Sequence, residues 1–222
     1  VSVYINGGYF GLYELREKLD KEFFNTLENP DNESIEILSQ SYWYGGMLRP
    51  VEGKLDGFYE ALTACNSINP ADTAFWTKAD QYFDMTYYTD YIIAESWMAN
   101  TDWPYNNIKL YRSDKTGFRW RYGIIDLELC LAPNGWNDNT FDHIKFMLEY
   151  DPNNPYLNLW QRGITNGRFK NYFINRYADL MNTAYEPDLL TSVENNIYQL
   201  VKPEMPKEYE RWGDPNNVTG QM

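Results

Sequence analysis

Histidine occurs once in this sequence, at position 143, and cysteine twice, at Cys65 and Cys130. The two cysteines carry no metal-ligand spacing, and they neither demand nor rule out an oxidising compartment. Cys130 sits at an apolar strand end and reads as a buried thiol, and a lone histidine with no Cys or Ser partner nearby reads as structural. Basic residues are also scarce: 19 Lys and Arg stand against 32 Asp and Glu, a net charge of −13. Nucleic acid is therefore a poor partner, and a basic protein or a cation a better one; the charge can equally serve solubility alone. No hydrophobic run approaches the length of a membrane span, and no signal peptide is present. The chain starts at Val1 rather than Met, which reads as a processed or cut chain, so the missing signal is uninformative about the parent protein. Repeats, low-complexity tracts and linkers are absent as well.

What the sequence has in excess is aromatic side chains, 18% of residues, including 20 Tyr and 8 Trp. Such residues supply core area and also line protein and sugar sites. A chain of 222 residues is long enough for one domain with a proper core, or one with a small lobe. Residues 1–16 alternate about Asn6-Gly7, a strong hairpin signal; the neighbouring glycines read as turn residues rather than a phosphate cradle. Arg16, Glu17, Lys18 and Asp20 lead into a helix expected to end near Phe24. A short strand is expected at Ile35–Leu38, followed by an aromatic knot, Tyr42, Trp43 and Tyr44. Such a knot can stack on an adenine or sugar, and more commonly closes a loop over the core. Helices are expected over 56–66, 71–82, from Asp84 onward, 156–163, 168–185 and 188–201. Residues 133–155 read as a long loop, and the polar tail from Gly213 as frayed.

The chain is organised around Glu95–Leu131. Tyr88, Tyr91, Ile92 and Ala99 form the apolar stripe of a helix that Pro104 forbids from continuing. Glu95 lies on that stripe, expected either to pair with an arginine or to contribute to a site. Two strands follow, with Ile108 and Leu110 alternating in the first and Phe118, Trp120, Tyr122 and Ile124 in the second. A hairpin centred on Lys115 would set residue 107 against 123 and 126 against 104, bringing the Asp102 loop to the Asp126 strand end. Asp102 is followed five residues later by Asn107, and Glu128 lies just beyond Asp126. Protein kinases space their catalytic base and a metal-holding Asn the same way, with a second acidic motif further on. A carboxylate takes or orients the acceptor hydroxyl's proton, and hard oxygen ligands suit magnesium. The same residues also fit a helix-hairpin corner in which Asp102 caps backbone donors and Asn107 closes a turn.

The stretch NTDWPYNN, the hairpin, and a strand end of hydrophobic-Asp-x-acid pattern resemble the spore-coat CotH kinase family. VYINGGYFGLYELREKLDKEFF resembles that family's opening, and NRYADLMNTAYEPDLL with KPEMPKEYERW its C-terminal helices, so the likeness covers most of the chain in order. It implies an α+β, predominantly helical, atypical protein-kinase-like fold, with residues 1–60 the remnant of a smaller lobe and 61–222 the helical lobe carrying the acidic site. It implies an extracellular or cell-surface enzyme that uses ATP and magnesium, or manganese, to phosphorylate Ser or Thr of a protein, with a basic, Ser-rich substrate and a monomeric state expected. Carried over by position, Asp102 becomes the base, Asn107 and Asp126 metal ligands with Glu128 beside them, and Glu17 the acidic group that positions phosphate contacts.

The sequence departs from the family pattern at Glu128, where a second Asp is usual, and at Cys130 and Leu131, where a Gly is common. The strands that normally precede the opening, with their phosphate-binding Lys or Arg, are expected outside this sequence. Two rival readings are a non-catalytic binding or adhesion module on a kinase-like shell, and a carbohydrate hydrolase using paired carboxylates.

Overall fold

The computed structural model describes residues 1–30, 34–131 and 141–213. The architecture is α+β and dominated by helix, 47% against 14% strand in two small antiparallel sheets, as expected from sequence. By backbone packing the chain divides into two compact units, Leu19–Tyr177 and a second made of Val1–Lys18 with Ala178–Met222.

The larger unit is built on one helix, α4 (Met85–Trp97), whose side chains from Tyr91 to Ser96 are all buried, as are Met85, Tyr88 and Thr89. A helix apolar on every side belongs inside a core rather than on a surface. Against it lies a four-stranded sheet in the order β4-β3-β5-β6, from β3 (Glu36–Gln40), β4 (Leu48–Glu52), β5 (Ile108–Arg112) and β6 (Arg121–Gly123). The middle strands pair Leu38 with Leu110, both fully buried. Tyr122 of β6 stacks on Tyr91 at 4.8 Å and lies 5.5 Å from Tyr88, so sheet and helix meet through aromatic rings. Around this core stand α1 (Lys21–Glu28), α2 (Asp56–Ser67), α3 (Phe75–Ala79), α5 (His143–Glu149), α6 (Asn158–Gly163) and the start of α7 (Gly167–Met181). Gly57 on α2 has no room for a side chain, because an added Cβ would stand 2.0 Å from the Arg112 guanidinium.

Several expectations are corrected. Lys109, not residue 107, pairs with Gly123, so the hairpin is shifted by two residues. The reason is the connection: Ser113 and Thr116 form a reciprocal cap on a 3₁₀ turn over Asp114–Thr116, and Gly117 and Phe118 then take positive φ, which lengthens the turn. An even shift keeps every side chain on its face. The second strand is confined to β6, and Phe118 is exposed. The expected 71–82 helix shrinks to α3 between turns. The expected 133–155 loop contains α5, started by Asp142, whose side chain accepts from the Lys145 amide at 2.9 Å; its residues 132–140, like the tail beyond Gly213, lie outside the described residues. Tyr42 and Trp43 close nothing over the core: Trp43 is 93% exposed.

The smaller unit joins the hairpin of β1 (Ser2–Ile5) and β2 (Gly8–Leu12) to α8 (Pro187–Val201) and α9 (Met205–Trp212). Asn6 and Gly7 both have positive φ, the geometry expected of an Asn-Gly hairpin turn. Glu208 of α9 accepts from the Tyr9 hydroxyl at 2.7 Å and the Leu12 amide at 2.8 Å. Burial and that carboxylate push the Tyr9 phenol up to about 12.

Arg121 ties three elements of the larger unit together. Its guanidinium reaches Glu28 at 2.8 Å and Asp84 at 2.9 Å, with side-chain exposures of only 14%, 15% and 7%, and it lies 4.0 Å over the Tyr87 ring. Removing one partner of a buried ion pair strands the other charge. Arg121→Ala should therefore lower unfolding free energy by about 3 kcal/mol, read by urea denaturation. Lys145→Ala, in an exposed i,i+4 pair at 3.9 Å, should change it by less than about 0.5 kcal/mol.

Candidate active site

Helix α4 ends at Met98, and Ala99 turns the chain with φ +50°. The next residue, Asn100, is 1% exposed and uses all its polar groups. Its amide N–H donates to the Glu95 carbonyl at 3.0 Å and its side-chain Nδ2 to Glu95 Oε2 at 2.8 Å. Its Oδ1 accepts from the Asp102 amide at 3.1 Å, and its carbonyl accepts from His143 Nε2 at 2.9 Å. The capping group of this turn is thus Asn100, which leaves the Asp102 carboxylate available for side-chain partners.

Two of those partners are amides. Asn106 Nδ2 and Asn107 Nδ2 both donate to Asp102 Oδ2 at 2.7 Å. Asp102 and Asn107, paired on sequence spacing, are therefore in direct contact. The intervening Trp103-Pro104 bond is cis, and both residues are buried. Asn107 has φ +55°, a conformation Asn tolerates better than most residues. From outside, the Asn106 Oδ1 accepts from the Tyr42 amide at 2.7 Å, and Asn154 Nδ2 donates to the Pro104 carbonyl at 3.1 Å. Tyr105 lies edge-on to Tyr42 at 6.2 Å. Burial first, then the Asp102 charge, raises the Tyr105 phenol, with Tyr42 and Tyr150 adding to it. Tyr105 thus stands beside Asp102, with Tyr42 and Tyr150 near Tyr105.

The second acidic segment returns beside this loop. Beyond β6, Asp126 takes φ +58° and is exposed, as is Glu128. Cys130 closes a turn onto the Leu127 carbonyl, and the Leu131 amide donates to the Met98 carbonyl at 2.8 Å, at the point where α4 gives way to the Asp102 loop. Burial pushes the Cys130 thiol up to about 12, and the charges of Glu95, Glu128, Asp102 and Asp126 all add to that rise. Leu131 itself has φ +56°. This left-handed geometry strains a leucine and would suit a glycine. Leu131 is also 64% exposed, so truncating it removes little packing.

Glu17 is exposed in the connection between β2 and α1, within the smaller compact unit. Among the described residues no three His, Cys, Asp or Glu side chains cluster as a metal site. Magnesium does not need such a cluster, since it is held by one or two carboxylates with waters and substrate phosphates. The hard oxygens of Asn107, Asp126 and Glu128 suit that mode.

Glu95 is not paired with an arginine. It is 1% exposed, and its neighbours are Asn100 and Tyr91. Burial raises its carboxyl to about 7, opposed by the hydrogen bonds from Asn100 and Tyr91. Burial likewise lowers His143, whose ring stacks on Trp103 at 6.1 Å. Sequence reading missed Asn100, Asn106 and Tyr105 as parts of this site. Asn100 and Asn106 stand beside the recognised motif, but only the fold gives each a partner.

The family model described as CotH kinase protein matches residues 1–221. The chain belongs to the CotH kinase family. No curated protein and no solved structure matches it. Membership agrees with the helix-dominated α+β fold and implies nucleotide-dependent phosphotransfer in general, with protein as the substrate class. No helix among the described residues is long and apolar enough to cross a membrane.

Two stability predictions follow from this geometry. A carboxyl raised from 4.5 to about 7 on folding binds more protons in the native than in the unfolded state between those values. Stability is therefore fully present below pH 4.5 and falls as pH rises through about 7, by about 3 kcal/mol at most. Glu95→Gln should remove most of that decline in denaturation curves taken from pH 4.5 to 8.5. Leu131→Gly should hold or raise folding stability, by up to about 1 kcal/mol of relieved strain, whereas Leu131→Val should lower it, both read from melting curves.

Proposed function

We propose that this CotH-family chain transfers the γ-phosphoryl group of ATP to a Ser or Thr hydroxyl of a protein, with magnesium or manganese. The observation that carries the reading is the Asp102–Asn107 pair at 2.7 Å, set in a family motif at the end of a buried helix. Two amides donate to Asp102 Oδ2 and hold the carboxylate in place. That carboxylate would take or orient the acceptor hydroxyl's proton. Asn107 and Asp126, with Glu128 beside them, would hold the metal ion, which neutralises phosphate charge when bound. Glu17 would position phosphate contacts.

The net charge of −13 suits a basic substrate, one rich in Ser, and disfavours nucleic acid. We assign the enzyme to the extracellular space or cell surface, as a monomer. The second reading, a binding module on a kinase-like shell, draws on the exposed Tyr42 and Trp43 tied to this loop through Asn106.

Thermal shift with ATP and magnesium or manganese, followed by phosphotransfer to a basic Ser-rich peptide, tests these alternatives. The wild type should be stabilised and active. Asp126→Asn should lose metal-dependent nucleotide stabilisation with its own melting temperature unchanged. Asp102→Asn should keep that stabilisation and lose about 10²-fold or more in transfer rate. Peptide binding without transfer, unaltered by either substitution, would favour the binding module.

A further inference from the structure

Glu95 is the one charged side chain on α4 buried without a cation, and nothing in the proposed chemistry uses it. A carboxyl in that position is costly unless its hydrogen bonds are needed. One of its contacts leads to the candidate site. Glu95 Oε2 accepts from Asn100 Nδ2 at 2.8 Å, which fixes which way the Asn100 amide faces. That orientation points Oδ1 at the Asp102 amide, 3.1 Å away. If the amide flipped, its NH₂ would face the Asp102 N–H, donor against donor, and the turn would lose its cap. The two backbone bonds of Asn100, to the Glu95 carbonyl and from His143, hold the residue in place without setting its side chain.

We propose that Glu95 is a positioning residue for Asp102, acting through the Asn100 amide. The inference rests on Asp102 being the base of the phosphotransfer proposed above. Ionised, Glu95 accepts only, so it locks the Asn100 NH₂ toward itself with a charge-assisted bond. Protonated, it carries a donor of its own and the lock weakens. The turn around Asp102 is therefore held best above the pH at which Glu95 ionises, about 7. Among the described residues, the other titratable groups that face Glu95 are the Tyr91 phenol on its own helix and the Cys130 thiol from the segment after β6, both raised by burial and ionised only at far higher pH. His143, reached through the Asn100 carbonyl, is shifted the opposite way and titrates below its usual 6.5.

Nitrogen-15 resonances of the 222-residue chain test this without relying on activity. The Asp102 amide should shift between pH 5 and 9 with an apparent midpoint near 7 in the wild type, and this step should vanish in Glu95→Gln while any His143 step at lower pH persists. In phosphotransfer with ATP and magnesium, kcat should rise with pH through the same midpoint in the wild type and lose that step in Glu95→Gln. Glu95→Leu, which has no acceptor for Asn100, should lower kcat by about 10²-fold with the ATP KM within about twofold. An Asp102 amide that does not titrate near 7, or that titrates identically in Glu95→Gln, overturns the inference even if phosphotransfer is normal. A titrating amide in a protein that transfers no phosphate leaves the positioning intact and removes the proposed function instead. Should Glu95→Leu fail to fold, the Glu95→Gln comparison alone decides.

Discussion

Burying α4 on nearly every side obliges the protein to satisfy the polar groups at both of its ends inside the core, and the two ends are solved differently. At the N-terminus Asp84 accepts from the first turn and is met by Arg119 at 3.2 Å and Arg121 at 2.9 Å. A carboxylate placed there gains from the helix dipole and from two cations. At the C-terminus Glu95 has only neutral donors, and its carboxyl rises to about 7. The sheet follows from the first solution, because both arginines come from β6 and its approach. The candidate site follows from the second.

The Asp102 loop is rigid for reasons that lie mainly outside it. Its backbone is held by Asn100, by Asn154 and, through Asn106, by Tyr42 ahead of β4. Its side chains are held by Trp103, buried between Tyr91 and His143. The carboxylate proposed as the base, carried on a loop but braced by a helix, a strand connection and α5, meets the usual requirement that a functional group sit on supported geometry. The positive φ angles at Ala99, Asn107, Asp126 and Leu131 gather in this same region. Backbone strain of this kind persists where surrounding contacts over-determine it.

A protein with this site has a built-in conflict. Ionising Glu95 lowers folding stability, since a charge is then held away from water, yet the ionised form is the one that fixes the Asn100 amide most firmly. Stability and loop order thus change in opposite directions across neutral pH. Neither the aromatic excess nor the net charge determines that behaviour; it depends on one carboxyl, one amide and the exclusion of water from both.

Much was legible from local sequence. The Asn6-Gly7 turn, the start of α2, the long α8 and the Asp102–Asn107 pairing all depend on neighbours within a few residues, where covalent geometry and periodicity act directly, whereas α4 ended at Trp97, ahead of the stop expected at Pro104. The family motif likewise reports residues in order along the chain. What local sequence could not decide were the outcomes that rest on distant partners. The hairpin register moved by two residues because a capped 3₁₀ turn, not a symmetric one, joins β5 to β6. A helix formed at His143–Glu149 where turn residues suggested only loop, because His143 and Met147 found burial. Glu95 looked as if it needed an arginine, and the fold gave it Asn100, five residues on, because the chain turns back at Ala99. Sequence alone determined which residues could do chemistry here; tertiary packing decided which are held, by what, and in which protonation state, since burial and hydrogen-bond partners are properties of the folded chain.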